Sequence, residues 1–139
     1  MIIGYTTGVF DLFHIGHLNL LRNARSLCDR LIVGVSTDEL VSYKHKAAVI
    51  PYHERVEIVR ACRYVDAVIA QGDLDKQRAW ERIKFDVLFV GDDWYETPSW
   101  RELEASFKSD HVRVVYFPYT QGTSSSLIND VLVRLRNGT

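Results

Sequence analysis

The chain alternates short apolar runs with stretches in which apolar residues return every three or four positions. Runs at Met1 to Tyr5 (continuing into Thr6 and Thr7), Arg30 to Ser36, Val65 to Ala70, Asp86 to Val90 and Val112 to Phe117 read as strands. The second, RLIVGVS, is apolar almost throughout, as a strand buried on both faces must be. Between the runs, Leu18, Leu20, Leu21, Ala24 and Leu27 predict a first helix. Val56, Ile58, Val59, Ala61 and Cys62, behind Pro51, predict another. Further helices are expected over Asp75 to Lys84, Ser99 to Phe107 and Thr123 to Arg136, with Pro118 stopping the fifth strand. Thr37, Asp38 and Glu39 read as the cap and first turn of a short helix, and Ser42 to Ala48 as a polar, cationic loop. Strands alternating with helices imply parallel pairing and right-handed crossovers. The predicted fold class is therefore α/β: a doubly wound, three-layer, Rossmann-like parallel sheet of about five strands. The 139 residues suit one such domain, 1–139, and are too few for two.

In such sheets a ligand lies over the carboxyl ends of the strands. The unusual residues of this chain gather at strand ends: GVFDLFHIGH (Gly8 to His17) after the first, Asp38 after the second, GDDW (Gly91 to Trp94) after the fourth and YTQGTSSS (Tyr119 to Ser126) after the fifth. A strand that ends in Gly8 and turns at once into a helix leaves the helix's first amides unsatisfied, and such a corner attracts anions. His14 and His17 are three apart and share a helix face, and Gly16 between them has no Cβ to keep a phosphate away from the backbone. Two imidazoles over free amides suit a nucleoside triphosphate whose leaving pyrophosphate must be held. The alternatives are a metal pair or two ordinary surface histidines. Against zinc, the spacing lacks the Glu of an HExxH helix and offers no third ligand in register. A dinucleotide fold would need GxGxxG at this turn, and neither that nor a Walker loop is present, which leaves mononucleotide chemistry.

Seventeen basic against eighteen acidic residues leave a net charge of −1, so nothing argues for nucleic acid or an anionic membrane as partner. Any phosphate must meet a local concentration of cations. Lys44 and Lys46, two apart around His45, can bear on one anion from an extended loop; the same residues also fit an ordinary solvated loop. Asp92 and Asp93 suggest magnesium, although adjacent side chains diverge, and Trp94 can equally cover the core. Four hydroxyls at Thr123 to Ser126 are more than helix capping requires. Arg63 and Asp66 suit a structural ion pair at a helix end as well as a functional role. Cys28 and Cys62 fall in apolar helical patterns and read as buried thiols of a reducing compartment. No apolar run reaches membrane-spanning length and no signal-peptide pattern opens the chain, so a cytoplasmic protein without membrane insertion is expected.

The decapeptide GVFDLFHIGH, with Phe10 and Asp11 in place, resembles the HxGH signature of the nucleotidylyltransferase superfamily in the GxFDxxHxGH form of its cytidylyltransferase branch. That branch includes glycerol-3-phosphate, phosphocholine and phosphoethanolamine cytidylyltransferases. The similarity runs from Gly8 to about Ser126 and is strongest toward the glycerol-3-phosphate enzymes. It implies that CTP and a small phosphorylated alcohol give a CDP-alcohol and pyrophosphate, with Mg²⁺ or another divalent cation as helper and a homodimer as the unit. It implies catalytic roles for His14, His17, Lys44 and Lys46. Nucleotide contacts are implied for Gly8, Val9, Phe10, Asp11, Ile15 and Gly16, for Asp92 and Trp94, and for Tyr119, Thr120, Gln121, Gly122, Thr123, Ser124, Ser125 and Ser126. Acceptor contacts are implied for Lys44, Arg55, Arg63 and Gln77, and no metal ligand is assigned.

Two positions depart from the pattern. Tyr119 stands where the second signature, RTxGxSTT, begins with arginine, and a tyrosine supplies no fixed positive charge. Gln77 stands where the glycerol-phosphate enzymes place a lysine against the acceptor, with Lys76 and Arg78 on either side. Two other readings therefore stand beside the first: an adenylyltransferase of the same fold, and a nucleotide-binding regulatory module without turnover.

Overall fold

Each predicted strand run becomes a strand of one sheet. The computed structural model describes residues 1–43, 47–91, 98–118 and 125–136, without the side chains of 98, 99 and 125–130. The strands β1 (Ile3–Gly8), β2 (Arg30–Ser36), β3 (Ala67–Gln71), β4 (Val87–Gly91) and β5 (Arg113–Phe117) are all parallel, in the order β3-β2-β1-β4-β5. The helices are α1 (Ile15–Arg25), α2 (Asp38–Tyr43), α3 (Tyr52–Ala61), α4 (Lys76–Ile83), α5 (Pro98–Ser109) and α6 (Ser125–Arg136).

Side chains alternate across the sheet and sort into two cores. Leu31, Val33, Val35, Val87 and Phe89 face Leu21 and Ala24 of α1 and Val56 and Val59 of α3. Tyr5 and Leu88 face the other way, against Trp100 and Phe107 of α5, with Trp80 and Ile83 of α4 packed alongside. Helices on both faces of a parallel sheet make the fold Rossmann-like α/β. The chain builds outward from β1 through β2 to β3, then crosses back to place β4 on the other side of β1. The strand order thus reverses between β1 and β4, and a crevice opens at their carboxyl ends.

Some boundaries differ from the pattern reading. Pairing of β1 with β2 continues to Gly8 opposite Val35, so the first strand outlasts its apolar run. The short helix after β2 continues through Tyr43 instead of giving way to loop at Ser42. Thr37 Oγ1 accepts from Leu40 N–H at 3.2 Å, and Leu40 and Val41 are buried, which anchors that turn. Cys28 and Cys62 lie just beyond the ends of α1 and α3, not within them, and only Cys28 is buried. Asp66 pairs with Arg25 at 3.0 Å and accepts from Leu31 N–H at 2.8 Å, so its ion pair is not with Arg63. The sheet brings Arg25 and Asp66 together from distant parts of the chain, beyond the reach of any local pattern.

Candidate active site

The turn after β1 is built on two non-glycine residues in the left-handed region, Phe10 (φ 55°) and Leu12 (φ 48°). Each costs about 1–3 kcal/mol and persists only where its surroundings compensate. Phe10 is buried at 4% exposure, packs edge-on against His17 at 5.3 Å, and lies over Gly8, where a Cβ would come within 3.0 Å of its ring. The chain then enters α1 with His14 in extended conformation as the N-cap. His14 Nδ1 accepts from Gly16 N–H at 3.0 Å, and His17 Nδ1 accepts from His14 N–H at 3.3 Å. The two rings stack with centroids 4.0 Å apart.

This arrangement corrects the picture of an open amide corner. The imidazoles themselves take the N–H groups of His14 and Gly16, so an incoming anion meets imidazole, not those amides. Because each Nδ1 lone pair accepts a backbone hydrogen, each neutral ring must carry its own proton on Nε2. Burial lowers the His14 pKa; burial, then the neighbouring His14, pushes His17 down to about 4, with Asp11 opposing. At neutral pH the pair is two uncharged Nε2–H donors.

The shift of His17 has a definite sign. Between about pH 6.5 and 4 the unfolded chain binds a proton that the folded chain refuses, so stability falls as pH drops through that window. The slope for one proton is no steeper than about 1.4 kcal/mol per pH unit. Urea midpoints measured from neutral pH down through the window should show it, and His17→Asn should flatten it.

Asp11 and Arg55 brace the turn. Asp11 accepts from Val49 N–H at 2.8 Å and Ile50 N–H at 2.9 Å, pinning the segment that follows Lys46 to the decapeptide. The Arg55 side chain is fully buried and donates from Nε to Ile50 O (2.8 Å), from Nη1 to Val9 O (2.7 Å) and Ser36 O (2.8 Å), and from Nη2 to Asp38 Oδ1 (2.7 Å). The Tyr52 N–H and then Arg55 hold the Asp38 carboxyl below its usual range. Arg55, implied above as an acceptor contact, lies buried behind Val9 and shapes the site through the backbone.

Above the switch point lies a cleft of about 470 Å³. The ends of β1 (Thr7, Gly8), β3 (Gln71) and β4 (Gly91) form its floor, and Leu74, Trp100 and Leu103 give it an apolar wall. Ser36 donates to Gln71 Oε1 at 2.8 Å in the floor, and Lys76 reaches in to place Nζ 2.6 Å from Thr7 Oγ1. Gln77, on the next residue of α4, turns away: it donates to Asp110 Oδ2 at 3.2 Å and accepts from Ser106 Oγ at 3.0 Å. Arg63 is exposed, donates to Tyr64 Oη at 3.1 Å, and lines a surface groove beside Phe13. The structure therefore brings together Gly8, Val9, Phe10, Asp11, His14, Gly16 and His17, with Ile15 exposed on the same turn, but not Gln77. Lys44, Lys46, Asp92, Trp94 and 119–124 lie outside the described residues, as do the side chains of Ser125 and Ser126. Thr7 and the Ser36–Gln71 pair carry no signal in the sequence, since ordinary hydroxyls and amides become a floor only when β1, β2 and β3 align.

A parallel sheet whose first turn carries stacked imidazoles, over a crevice without a dinucleotide loop, defines a mononucleotide-handling α/β protein. Comparison with known proteins narrows this. The family model described as Cytidylyltransferase-like matches residues 5–131, and the chain belongs to that family. It is 39% identical to a glycerol-3-phosphate cytidylyltransferase of Staphylococcus aureus (strain NCTC 8325 / PS 47), over 91% of this chain and 92% of the relative. It is 38% identical to the Bacillus subtilis (strain 168) protein of the same name, over 94% and 96%. The fold is shared with a lipopolysaccharide core biosynthesis protein from Thermoplasma volcanium GSS1, with a TM-score of 0.72 at 24% identity over 88% of this chain and 99% of that one.

Proposed function

We propose that the protein is a cytidylyltransferase that joins CTP to a small phosphorylated alcohol, glycerol phosphate foremost, releasing pyrophosphate. The observation that carries this reading is the stacked His14–His17 pair, held by backbone bonds with both Nε2–H groups left to donate, in a chain of this family. An acceptor phosphate oxygen forms a bond to the α-phosphorus while the bond from that phosphorus to the β-bridging oxygen breaks. Pyrophosphate leaves with the electron pair. The acceptor is already ionised, so no protein nucleophile or strong base is required, and catalysis reduces to alignment and stabilisation of charge. His14 and His17 donate to the α-phosphate and the leaving oxygen; Lys46 holds the triphosphate; Lys44 offsets repulsion between the two substrates. Since both imidazoles are neutral in the free protein, the lysines carry the fixed charge.

A divalent cation, Mg²⁺ by preference, would accompany the nucleotide in this reading and would supply charge neutralisation for the triphosphate. Among the described residues no three His, Cys, Asp or Glu side chains form a metal-holding group, and both Asp11 oxygens already accept backbone hydrogens, so no protein ligand is assigned. The proposed unit is a homodimer; the apolar groove of about 350 Å³ lined by Phe13, Leu18, Ile58, Cys62 and Tyr64 supports it. Free thiols at Cys28 and Cys62 support a reducing, cytoplasmic setting, and among the described residues no helix is long and apolar enough to cross a membrane.

The test is pyrophosphate release across the four ribonucleoside triphosphates with a panel of phosphomonoesters. CTP with glycerol 3-phosphate or a near relative should lead. Preference for ATP would make the protein an adenylyltransferase, and tight CTP binding without turnover would make it a regulatory module. Tyr119→Arg should change acceptor preference, because a hydroxyl and aromatic face recognise different partners from a guanidinium.

A further inference from the structure

Two buried polar groups of the sheet have no protein partner among the described residues. Gln71, the last residue of β3, is 7% exposed; its Oε1 accepts from Ser36 Oγ at 2.8 Å, and nothing takes the hydrogens of its Nε2. Tyr5 of β1 is 1% exposed, with its ring stacked on Phe85 at 5.1 Å, and its Oη is likewise unpartnered. The phenol reaches across to Gly34 of β2, where a Cβ would come within 2.5 Å of Oη, so only glycine leaves room for this hydroxyl. Burial pushes the Tyr5 pKa up to about 12, so the hydroxyl stays protonated and can both donate and accept.

Both groups open on one small cavity. It lies between the end of β3 and α4, measures about 50 Å³, and has Tyr5, Gln71, Gly72 and Ala79 in its lining. No side-chain nitrogen or oxygen among the described residues is both sealed in and unpartnered, so these two reach open space. Gln71 also lines the cleft above the switch point, and the two spaces meet at its amide. Polar groups buried this far are ordinarily hydrogen-bonded, and two of them around one cavity suit a ligand that bonds both.

The sheet fixes how far this cavity stands from the histidine turn. Gly8 pairs with Val35, and Ser36, the next residue of β2, pairs with Gln71. Gln71 is thus two strand spacings, about 10 Å, from the end of β1. A phosphorylated three-carbon alcohol, with one hydrogen bond of about 3 Å at its far end, covers that span.

We propose that Gln71 Nε2 and Tyr5 Oη form the subsite for a hydroxyl of the acceptor's carbon chain, and that this subsite selects a polyhydroxy alcohol phosphate over an amino alcohol phosphate. The assignment rests on the cytidylyltransferase reading. A hydroxyl accepts from the amide and exchanges a further hydrogen bond with the phenol. An ammonium offers only donors and meets the amide's own N–H; a trimethylammonium neither donates nor accepts. The two carboxylates lining the cavity are already engaged: Asp73 pairs with Arg78 at 3.0 Å, and Asp75 caps α4 by accepting from Arg78 N–H at 3.0 Å.

The experiment is steady-state kinetics with CTP on the full chain and its Gln71→Met and Tyr5→Phe variants. Glycerol 3-phosphate is compared with propyl phosphate, its analogue without hydroxyls, and with phosphoethanolamine. Thermal melts control for folding, and Tyr5→Phe keeps the ring that packs on Phe85. Wild type should favour glycerol 3-phosphate over propyl phosphate by about 10- to 100-fold in kcat/KM, the worth of one or two hydrogen bonds left unmade in a buried site. Each variant should lower that ratio by about 3- to 10-fold, with the KM for CTP nearly unchanged. A purely structural role slows both acceptors alike and leaves the ratio where it was. A wild-type ratio near one, a ratio unaltered in either folded variant, or equal use of phosphoethanolamine overturns this subsite alone. Wild type inert with every phosphomonoester overturns the proposed function, and the subsite with it.

Discussion

Replacing either histidine of the stacked pair with asparagine should slow pyrophosphate release by about 10²–10³, the usual cost of removing one donor from a developing oxyanion. Asparagine is the informative substitution. Its short side chain still places an oxygen near the position of Nδ1, so the amide of His14→Asn can cap Gly16 N–H and that of His17→Asn can accept from the backbone N–H of His14. Neither reaches the position of Nε2. The backbone of the turn is thus retained and the proposed phosphate donor is lost, so kcat should fall while the melting temperature stays near that of wild type. Alanine removes both functions and should add a stability loss, larger at His17, which packs against Phe10 and Phe13. A folded His17→Asn enzyme turning over at the wild-type rate would show that the imidazoles serve only as caps.

Arg55→Leu should cost roughly 3–5 kcal/mol of stability, because it strips the donor from three backbone carbonyls at about 1–3 kcal/mol each, while the half-exposed Asp38 it leaves behind is still reached by water. The side chain is fully buried and donates to the carbonyls of Val9, Ser36 and Ile50 as well as to Asp38. Leucine leaves those carbonyls without their donor and releases Asp38 at the start of α2. For a chain of 139 residues the loss corresponds to a melting temperature lower by about 10–20 °C. Lysine should not restore it, because one ammonium cannot cover acceptors arranged around a planar fork. Urea denaturation of the three proteins gives the result directly. A change below about 1 kcal/mol would mean that the turn is held by Asp11 and Phe10 without Arg55. In a folded Arg55 variant, acceptor and CTP affinities should weaken together if the proposed function holds, since Val9 belongs to the turn that carries the histidine pair.

The division between what was legible in the chain and what was not follows the range of the forces involved. Apolar periodicity, the Gly8 turn and the spacing of His14 and His17 are local, and they suffice to place five parallel strands, the doubly wound class and the paired imidazoles. The helix after β2 outruns its predicted end because burial of Leu40 and Val41 in the assembled core outweighs the polarity of the residues that follow. Arg55 and Asp66 could be singled out by sequence, but their partners could not: Val9 is 46 positions from Arg55, and Arg25 reaches Asp66 only once β2 and β3 align. The orientation of α4 shows the same limit. Lys76 and Gln77 are neighbours about 100° apart around a helix, and only packing of Ala79, Trp80 and Ile83 on the sheet selects which one faces the cleft. The class of fold and the histidine corner are thus written in the chain itself, because they depend on residues within a few turns of one another. The protonation of that corner, the burial of Arg55 and the cation at the cleft floor emerge only with the folded sheet, because each depends on desolvation and on partners that the assembled strands bring within hydrogen-bonding distance.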